Sequence, residues 1–309
     1  MTIAFLYAGQ GSQHVGMGVD LYKKYPAFAK VFDNTSLPFD LKQLCFEGPE
    51  EKLAQTAFTQ PAMVAFAIGV TDILAEAGIR PDYAAGLSLG EYSALYAAGV
   101  FDAATAIDLV AFRGRAMAEA SAGLDVAMAA VLGLDREILA GLCTQASSNG
   151  NGIVEIANYN CPGQLVISGE RQAVEAASLS AKEAGAKRCV PLKVSGPFHT
   201  RLMKPAGDAL AAHFETVAFK PMEIPVIFNC LGDEKAPGDT IPHLLERQVQ
   251  SSVFMEDTIR CLADKGVDTF IEIGPGKALS GFVRKTLKGV KPIAIETAED
   301  IEKLKMLLG

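Results

Sequence analysis

The 309 residues are 50% apolar and 21% charged, enough for one large α/β domain, or one that carries a smaller domain, each with its own core. With no low-complexity run, this composition excludes disorder and a coiled coil. A net charge of −8 excludes a general nucleic-acid binder, which needs a basic footprint to neutralise phosphates, so an anionic partner has to be met by a local patch.

Ile3 to Tyr7 is a short apolar run ended by Ala8-Gly9-Gln10-Gly11-Ser12, which predicts a buried strand followed by a tight loop. A dinucleotide fingerprint fails here, because His14 stands at the third glycine position and no Walker lysine follows. The opening MTIAFLYAGQGSQ has no basic n-region and too short an apolar stretch for a signal peptide or a membrane span. The expectation is a cytoplasmic protein without a membrane partner. A helix is predicted over 60–77, and PDYAAGLSLGEYSALYAAGV then reads as strand, sharp turn and helix. Asp102 is placed to cap the next helix, which runs to about Ala120.

Between 123 and 194 the rhythm changes. An Ala/Val strand, a helix from Asp135, strands at 152–158 and 164–168, a helix over 172–186 and a strand over 188–194 follow in turn. This βαββαβ order is the ferredoxin-like pattern. It predicts a small domain, 123–194, inserted into a discontinuous large α/β domain, 1–122 and 195–309. Strands at 224–229, 268–273 and 292–296 alternate with helices and resume the layered style of the opening.

Six cysteines (Cys45, Cys143, Cys161, Cys189, Cys230, Cys261) lie far apart, with no C-x-x-C pair and no histidine at ligand spacing, so they read as reduced packing residues and no metal site is expected. The chemistry centres on Gly86-Leu87-Ser88-Leu89-Gly90, a G-x-S-x-G match between an apolar run and a helix-forming run. The turn is so sharp that the positions two before and two after the serine tolerate little side chain. Ser88 is then presented at a helix N-terminus, where unpaired amides, Leu89 nearest, can stabilise an oxyanion.

A serine needs a base, and there are four histidines. His213 in DALAAHFETV and His243 after Ile241-Pro242 read as ordinary surface or packing residues, while His14 in the first Gly-rich loop can approach the site. His199, in VSGPFHTRLM, lies on a turn at the predicted domain junction, where catalytic groups are commonly presented. The residues alone leave the choice open between His199 and the other three.

Ala106, Val110, Arg113 and Met117 recur at i, i+4, i+7 and i+11, which puts Arg113 on an apolar stripe, whereas Arg115 falls with Asp108 and Glu119. A buried guanidinium needs an anion. Either a substrate carboxylate, held bidentately, or one of the chain's own acids meets that need, and the pattern leaves both open. From Lys277 to Lys291 there are five basic residues and no acidic one. Leu279, Phe282, Val283 and Leu287 form an apolar stripe, and Lys277, Arg284 and Lys288 are predicted together on the opposite helical face. That face is either simply solvated or a docking surface for an acidic partner.

Taken in order, FLYAGQGSQ, GLSLGEYSAL, FRGRAM, IANYNCPGQLVISG, VSGPFHTRLMKPA, the RQV around Gln248 and IEIGPGKALSGF resemble the malonyl-CoA:acyl carrier protein transacylases of fatty-acid synthesis, over nearly the whole chain. The resemblance implies a hydrolase-like large domain with an inserted ferredoxin-like small domain, and an active site in the cleft between them. It implies Ser88 as nucleophile, His199 as base and the Gln248 carbonyl as the group orienting the imidazole, a dyad in place of a triad. Gln10 and Leu89 would supply the oxyanion-hole amides, and Arg113 would hold the malonyl carboxylate, with Met117 and Phe198 beside the substrate. The implied reaction is ping-pong: Ser88 takes malonyl from malonyl-CoA, and the phosphopantetheine thiol of holo acyl carrier protein then takes it from Ser88. No metal or redox cofactor is implied, and a monomer is expected. Lys277, Arg284, Lys285 and Lys288 become the expected docking site for an acidic carrier protein.

Two positions depart from the family pattern. Leu87 stands where the family usually has His, and QSSVFM replaces the usual Pro and Trp around 250–254. Phe198 before His199 resembles the malonyl-selective form among polyketide acyltransferases. Three other readings remain: an acyltransferase serving a polyketide synthase or using another acyl-CoA, a plain serine esterase, and a carrier-binding module without catalysis. Esterases usually place the histidine near the C-terminus, far beyond position 199, and a pure binder needs no activated serine.

Overall fold

The computed structural model describes residues 1–308. In chain order the first part holds β1 (Ile3–Tyr7), α1 (Val19–Lys24), α2 (Pro26–Asn34), α3 (Leu41–Glu47), α4 (Glu50–Leu53), α5 (Thr56–Glu76), β2 (Tyr83–Gly86), α6 (Gly90–Ala97) and α7 (Ala103–Ser121). Then come β3 (Val126–Leu132), α8 (Arg136–Ala146), β4 (Val154–Cys161), β5 (Gln164–Glu170), α9 (Arg171–Glu183) and β6 (Arg188–Pro191). The last part holds α10 (Lys204–Phe214), β7 (Val226–Ile227), α11 (Ile241–Val249), β8 (Val253–Phe254), α12 (Met255–Asp264), β9 (Thr269–Ile273), α13 (Ala278–Thr286), β10 (Ile293–Ile295) and α14 (Ala298–Leu308).

The first sheet has the order β10-β9-β1-β2-β7, and every pairing in it is parallel. β1 lies at its centre with all five residues buried, as a continuous apolar strand does when helices cover both faces. Its partner β2 ends at Gly86, so the turn carrying Ser88 leaves the carboxyl edge of the sheet, where α/β folds place their sites. α5 is long and apolar enough to cross a membrane, but 83% of that stretch is buried inside the protein: it is the central core helix. It packs along α7, and the close approach depends on Gly114, whose added Cβ would lie 2.8 Å from the Thr56 carbonyl oxygen.

The second sheet has the order β6-β3-β5-β4-β8. Its first four strands pair antiparallel and, with α8 and α9, form the ferredoxin-like layer. Alternation along the strands divides its two faces: Ala129, Val131, Leu165 and Ile167 pack with α8 and α9, whereas Met128 and Val166 join the core of the larger layer. The fold is thus α/β, a hydrolase-like large domain carrying a ferredoxin-like one. The fifth strand was not anticipated. β8 comes from after α11, yet it pairs parallel with β4 through Asn158↔Val253 and Tyr159↔Phe254.

Several boundaries differ from the sequence-based expectation for local reasons. α5 starts at Thr56, with Pro61 inside it: the one bond to the Ala57 carbonyl that a proline cannot make costs less than burying sixteen of the helix's residues gains. Asp102 caps α7 by accepting from Thr105 N at 2.8 Å. The strand expected over 188–194 stops at Pro191, and that over 224–229 keeps only two residues. The single basic helical face is corrected. α13 runs only from Ala278 to Thr286, since Leu287 turns extended (φ −116°, ψ 129°), so Lys277 and Lys288 flank the helix and only Arg284 and Lys285 lie on it.

Candidate active site

The elbow is built by excluded volume. A Cβ on Gly86 would lie 2.0 Å from the carbonyl carbon of Gly90, and one on Gly90 would lie 2.3 Å from the Tyr7 carbonyl oxygen. Only glycine fits either place, and Ser88 between them is held at φ 55°. His199 is the other non-glycine residue at positive φ, 59°. Such strain persists where surrounding structure over-determines it, most often at functional sites. The loop bearing His199 is pressed inward through Gly196, where a Cβ would meet Ser121 Oγ at 2.2 Å.

These two strained residues meet. His199 Nε2 lies 2.8 Å from Ser88 Oγ, and His199 Nδ1 lies 3.0 Å from the Gln248 carbonyl oxygen. A carbonyl only accepts, so Nδ1 carries the hydrogen and Nε2 is free to take the serine proton. Burial, reinforced by the Arg113 charge, pushes the His199 pKa down to about 4, so the imidazole stays neutral. The other histidines are elsewhere. His14 is exposed and pairs with Glu296 at 2.8 Å, His213 stacks on Phe112 at 4.0 Å, and His243 sits beside Glu246 at the surface.

The dyad opens into a cavity of about 190 Å³ between the two layers. Gln10, Gln60, Leu87, Leu89 and Met117 line it on one side, Met128, Asn158, Asn160 and Val166 on the other, with Phe198 and His199 at the junction. The backbone amides of Gln10 and Leu89 find no acceptor within the described residues, which leaves two free donors on residues that line the cavity with Ser88. Leu87 is half-buried and reaches the cavity with an apolar side chain. Gly9 allows its loop to pass within 2.8 Å of the Leu87 carbonyl, measured from a Cβ placed there.

Arg113 is fully buried behind Ser88 and Gln60 and does not itself line the cavity. Its partners are all neutral: Nη1 donates to Gln60 Oε1 at 2.9 Å, and Nη2 donates to Ser88 Oγ and Gln248 Oε1, both at 3.0 Å. Nε has no partner. Glu91, the acid acting on it through space, is itself kept largely protonated, its pKa raised to about 8 by burial. No carboxylate among the described residues pairs with the guanidinium, so the alternative of an internal salt bridge is not realised, and the cation stands one hydrogen bond from Ser88 Oγ. Arg115 is exposed, as its helical position requires. Lys277, Arg284, Lys285 and Lys288 are exposed and away from the cavity; Lys285 Nζ donates to Gln164 Oε1 at 2.9 Å.

Three buried groups escaped the sequence reading. Gln60 holds Arg113 and also donates to Met117 Sδ at 3.3 Å; its one signal was a lone amide at the head of an apolar run. Asn229 accepts from Ser88 N at 2.6 Å and donates to the Gly86 carbonyl at 2.6 Å. The Gln248 side chain donates to the Ser88 carbonyl at 2.8 Å.

Activated serine, neutral base, two free amides and a buried cation suit acyl transfer from a donor bearing a negative charge. Residues 4–305 match the family model described as the acyl transferase domain. The chain belongs to the acyl transferase family. Among its relatives, the malonyl CoA-acyl carrier protein transacylase of Bacillus subtilis is 47% identical over 97% of this chain and 95% of its own, and that of Escherichia coli K12 is 41% identical over 91% and 92%. The crystal structure of the Clostridium perfringens malonyl CoA-acyl carrier protein transacylase superposes with a TM-score of 0.95 at 40% identity, covering 100% of this chain and 97% of that one. A malonyl-transacylase in complex with a type II PKS acyl-carrier protein also superposes at 0.95, with 38% identity, over 99% of this chain and 100% of that one. In this acyl transferase, then, Ser88 from the first half of the chain meets His199 and Gln248 from the second at one elbow.

Proposed function

We propose that this acyl transferase moves malonyl from malonyl-CoA to the phosphopantetheine thiol of acyl carrier protein, in fatty-acid synthesis, through a malonyl ester on Ser88. The observation that carries the reading is Arg113, a buried guanidinium with only neutral partners, 3.0 Å from Ser88 Oγ. A malonyl group attached at Ser88 brings its carboxylate within reach of that charge; an acetyl group brings none.

In the first half-reaction the Ser88 proton passes to His199 Nε2 as Oγ attacks the thioester carbonyl. Gln10 and Leu89 amides receive the oxyanion, the C–S bond breaks, and the imidazolium returns its proton to the coenzyme A sulfur. In the second half the carrier thiol gives its proton to His199 and attacks the ester, and Ser88 leaves with that proton. Met117 and Phe198 bound the acyl group with apolar surface. The chemistry draws on side chains and backbone amides, without a metal or redox cofactor. On this reading the enzyme acts as a monomer in the cytoplasm, and its six free cysteines, four of them buried, fit that reducing compartment. Its two layers are two domains, 1–122 with 195–309, and 123–194. Carrier protein docks on the exposed cations Lys277, Arg284, Lys285 and Lys288.

A second reading, transfer to the carrier of a polyketide synthase, is favoured by the likeness to the type II PKS complex. Intact mass spectrometry after separate mixing with malonyl-CoA, acetyl-CoA and methylmalonyl-CoA tests the acyl group. A malonyl adduct is expected on the native protein and none on Ser88→Ala. An adduct on that variant would sink the mechanism, and presentation of both carrier types to the malonylated enzyme separates the two readings.

A further inference from the structure

Ser88 is held at φ 55°, a left-handed backbone conformation that a non-glycine residue rarely adopts, and the elbow glycines explain only why the turn is possible. What aims it is a pair of buried amide side chains. Asn229 is fully buried, takes the Ser88 N–H on Oδ1 at 2.6 Å and gives Nδ2 to the Gly86 carbonyl at 2.6 Å. Its own N–H is anchored on Glu91 Oε2 at 2.5 Å. Gln248, also fully buried, gives Nε2 to the Ser88 carbonyl at 2.8 Å and takes Arg113 Nη2 on Oε1 at 3.0 Å. Each amide faces one group that only donates and one that only accepts, so each has a single satisfying orientation.

The consequence lies in the next peptide. In a trans peptide the carbonyl and the following N–H point in opposite directions, so fixing the Ser88 carbonyl, on Gln248 Nε2 and on the Glu91 amide at 3.0 Å, fixes the Leu89 N–H away from it. Leu89 lines the cavity and its amide has no acceptor among the described residues. Meanwhile the Ser88 amide, spent on Asn229, is withdrawn from the oxyanion. We propose that the side chains of Asn229 and Gln248 are positioning residues that grip Ser88 by its N–H and C=O and thereby aim the Leu89 amide at the reacting acyl oxygen. This role of Gln248 is separate from its backbone carbonyl, which any side-chain substitution leaves in place for His199. The proposal rests on the acyl-transfer reading of the site but not on malonyl being the acyl group.

The test uses Asn229→Ala and Gln248→Met, with folding followed by near-UV circular dichroism. Phosphonylation of Ser88 by an alkyl fluorophosphonate, with loss of fluoride, reports nucleophile and oxyanion hole together without any acyl-CoA, so a wild type that fails to take malonyl would leave this readout intact. Loss of one oxyanion donor costs about 100- to 1,000-fold; misaiming one is expected to slow phosphonylation and kcat for malonyl transfer by about 30- to 300-fold. For Asn229→Ala the KM for malonyl-CoA is expected to stay within about threefold, since Asn229 touches no substrate. Phosphonylation within threefold of wild type in either folded variant would overturn the proposal, as would losses confined to variants that have lost their near-UV signal. Gln248→Met keeps the proposal testable if Asn229→Ala does not fold.

Discussion

In the proposed mechanism His199 is the base because it is kept neutral, and the cause of that neutrality sets its pH behaviour. Burial first, then the Arg113 charge, lower its pKa to about 4, so the imidazole is unprotonated throughout the physiological range. Single-turnover malonylation is therefore expected to stay flat from pH 8 to about pH 5 and to fall only below that; a limb near pH 6.5, where an unperturbed histidine titrates, would contradict it. Because the folded value lies below the unfolded one, the unfolded chain binds the extra proton between about pH 4 and 6.5. His199 thus subtracts stability as pH falls through that window and subtracts nothing above it. Arg113 makes the specificity argument. Arg113→Ala is expected to cost malonyl transfer about 100-fold more than acetyl transfer, because only malonyl then leaves a carboxylate unpaired. Both transfers fall somewhat, since Gln248 also loses its anchor, and equal losses would mark a structural arginine. The i+7 position of Arg113 was legible in the sequence; that its partners are neutral was not. Neither was Asn229, whose bond to Ser88 spans 141 residues of chain and leaves no local pattern.

Helices and strands with a local cause were legible and those with a distant one were not. The Asp102 cap and the βαββαβ rhythm are written in neighbouring residues, as caps and periodicity always are. α1 to α4, each nine residues or fewer, carry too few turns for a periodic signal. β8 has two residues, and its sheet is chosen by pairing with Asn158 and Tyr159, far earlier in the chain. The contact of α5 with α7 is equally distant, and it places Gln60 against Arg113. Gly114→Ala tests how finely. Its Cβ would meet Thr56 O at 2.8 Å and Ala57 Cα at 2.9 Å, both backbone atoms that yield only if α5 moves. A loss of about 1–3 kcal/mol in thermal or urea unfolding is expected, with malonylation falling about tenfold as Gln60 leaves the guanidinium. The same substitution in α8 has the opposite sign: Gly141 has nothing within 4 Å of a new Cβ, so Gly141→Ala is expected to gain about 0.5–1 kcal/mol from helix propensity. Matching losses at both glycines would show that helix contact is not the cause.

The whole molecule sets two layers face to face across the cavity, tied along one side. β8 pairs with β4, Ser252 Oγ donates to the Ile156 carbonyl at 2.6 Å, and Arg136 grips Asp257 bidentately at 3.1 and 2.9 Å while lying 4.4 Å over the Tyr159 ring. Lys285 adds a bond to Gln164 at the β4–β5 turn, so the end of α13 stands where the layers join. On the proposed reading, that position bears on how an acidic enzyme attracts a carrier expected to be acidic. A net charge of −8 repels such a partner at long range, and association then depends on a local cluster of opposite sign. Arg284 and Lys288 are exposed, and no acid interrupts the sequence from Lys277 to Lys291. Although the helix ends before Lys288, the chain turning at Leu287 keeps both cations at the surface. Lys285 is better left intact in a test, since its removal would also loosen the second layer. The double charge reversal Arg284→Glu with Lys288→Glu is expected to raise the KM for holo carrier protein about tenfold and to flatten its dependence on salt. Malonylation by malonyl-CoA alone is expected to stay within about twofold, because neither residue lines the cavity. Carrier kinetics unaltered by that reversal would place the docking surface elsewhere on the molecule, and a parallel loss of malonylation would show that the charges act on coenzyme A instead.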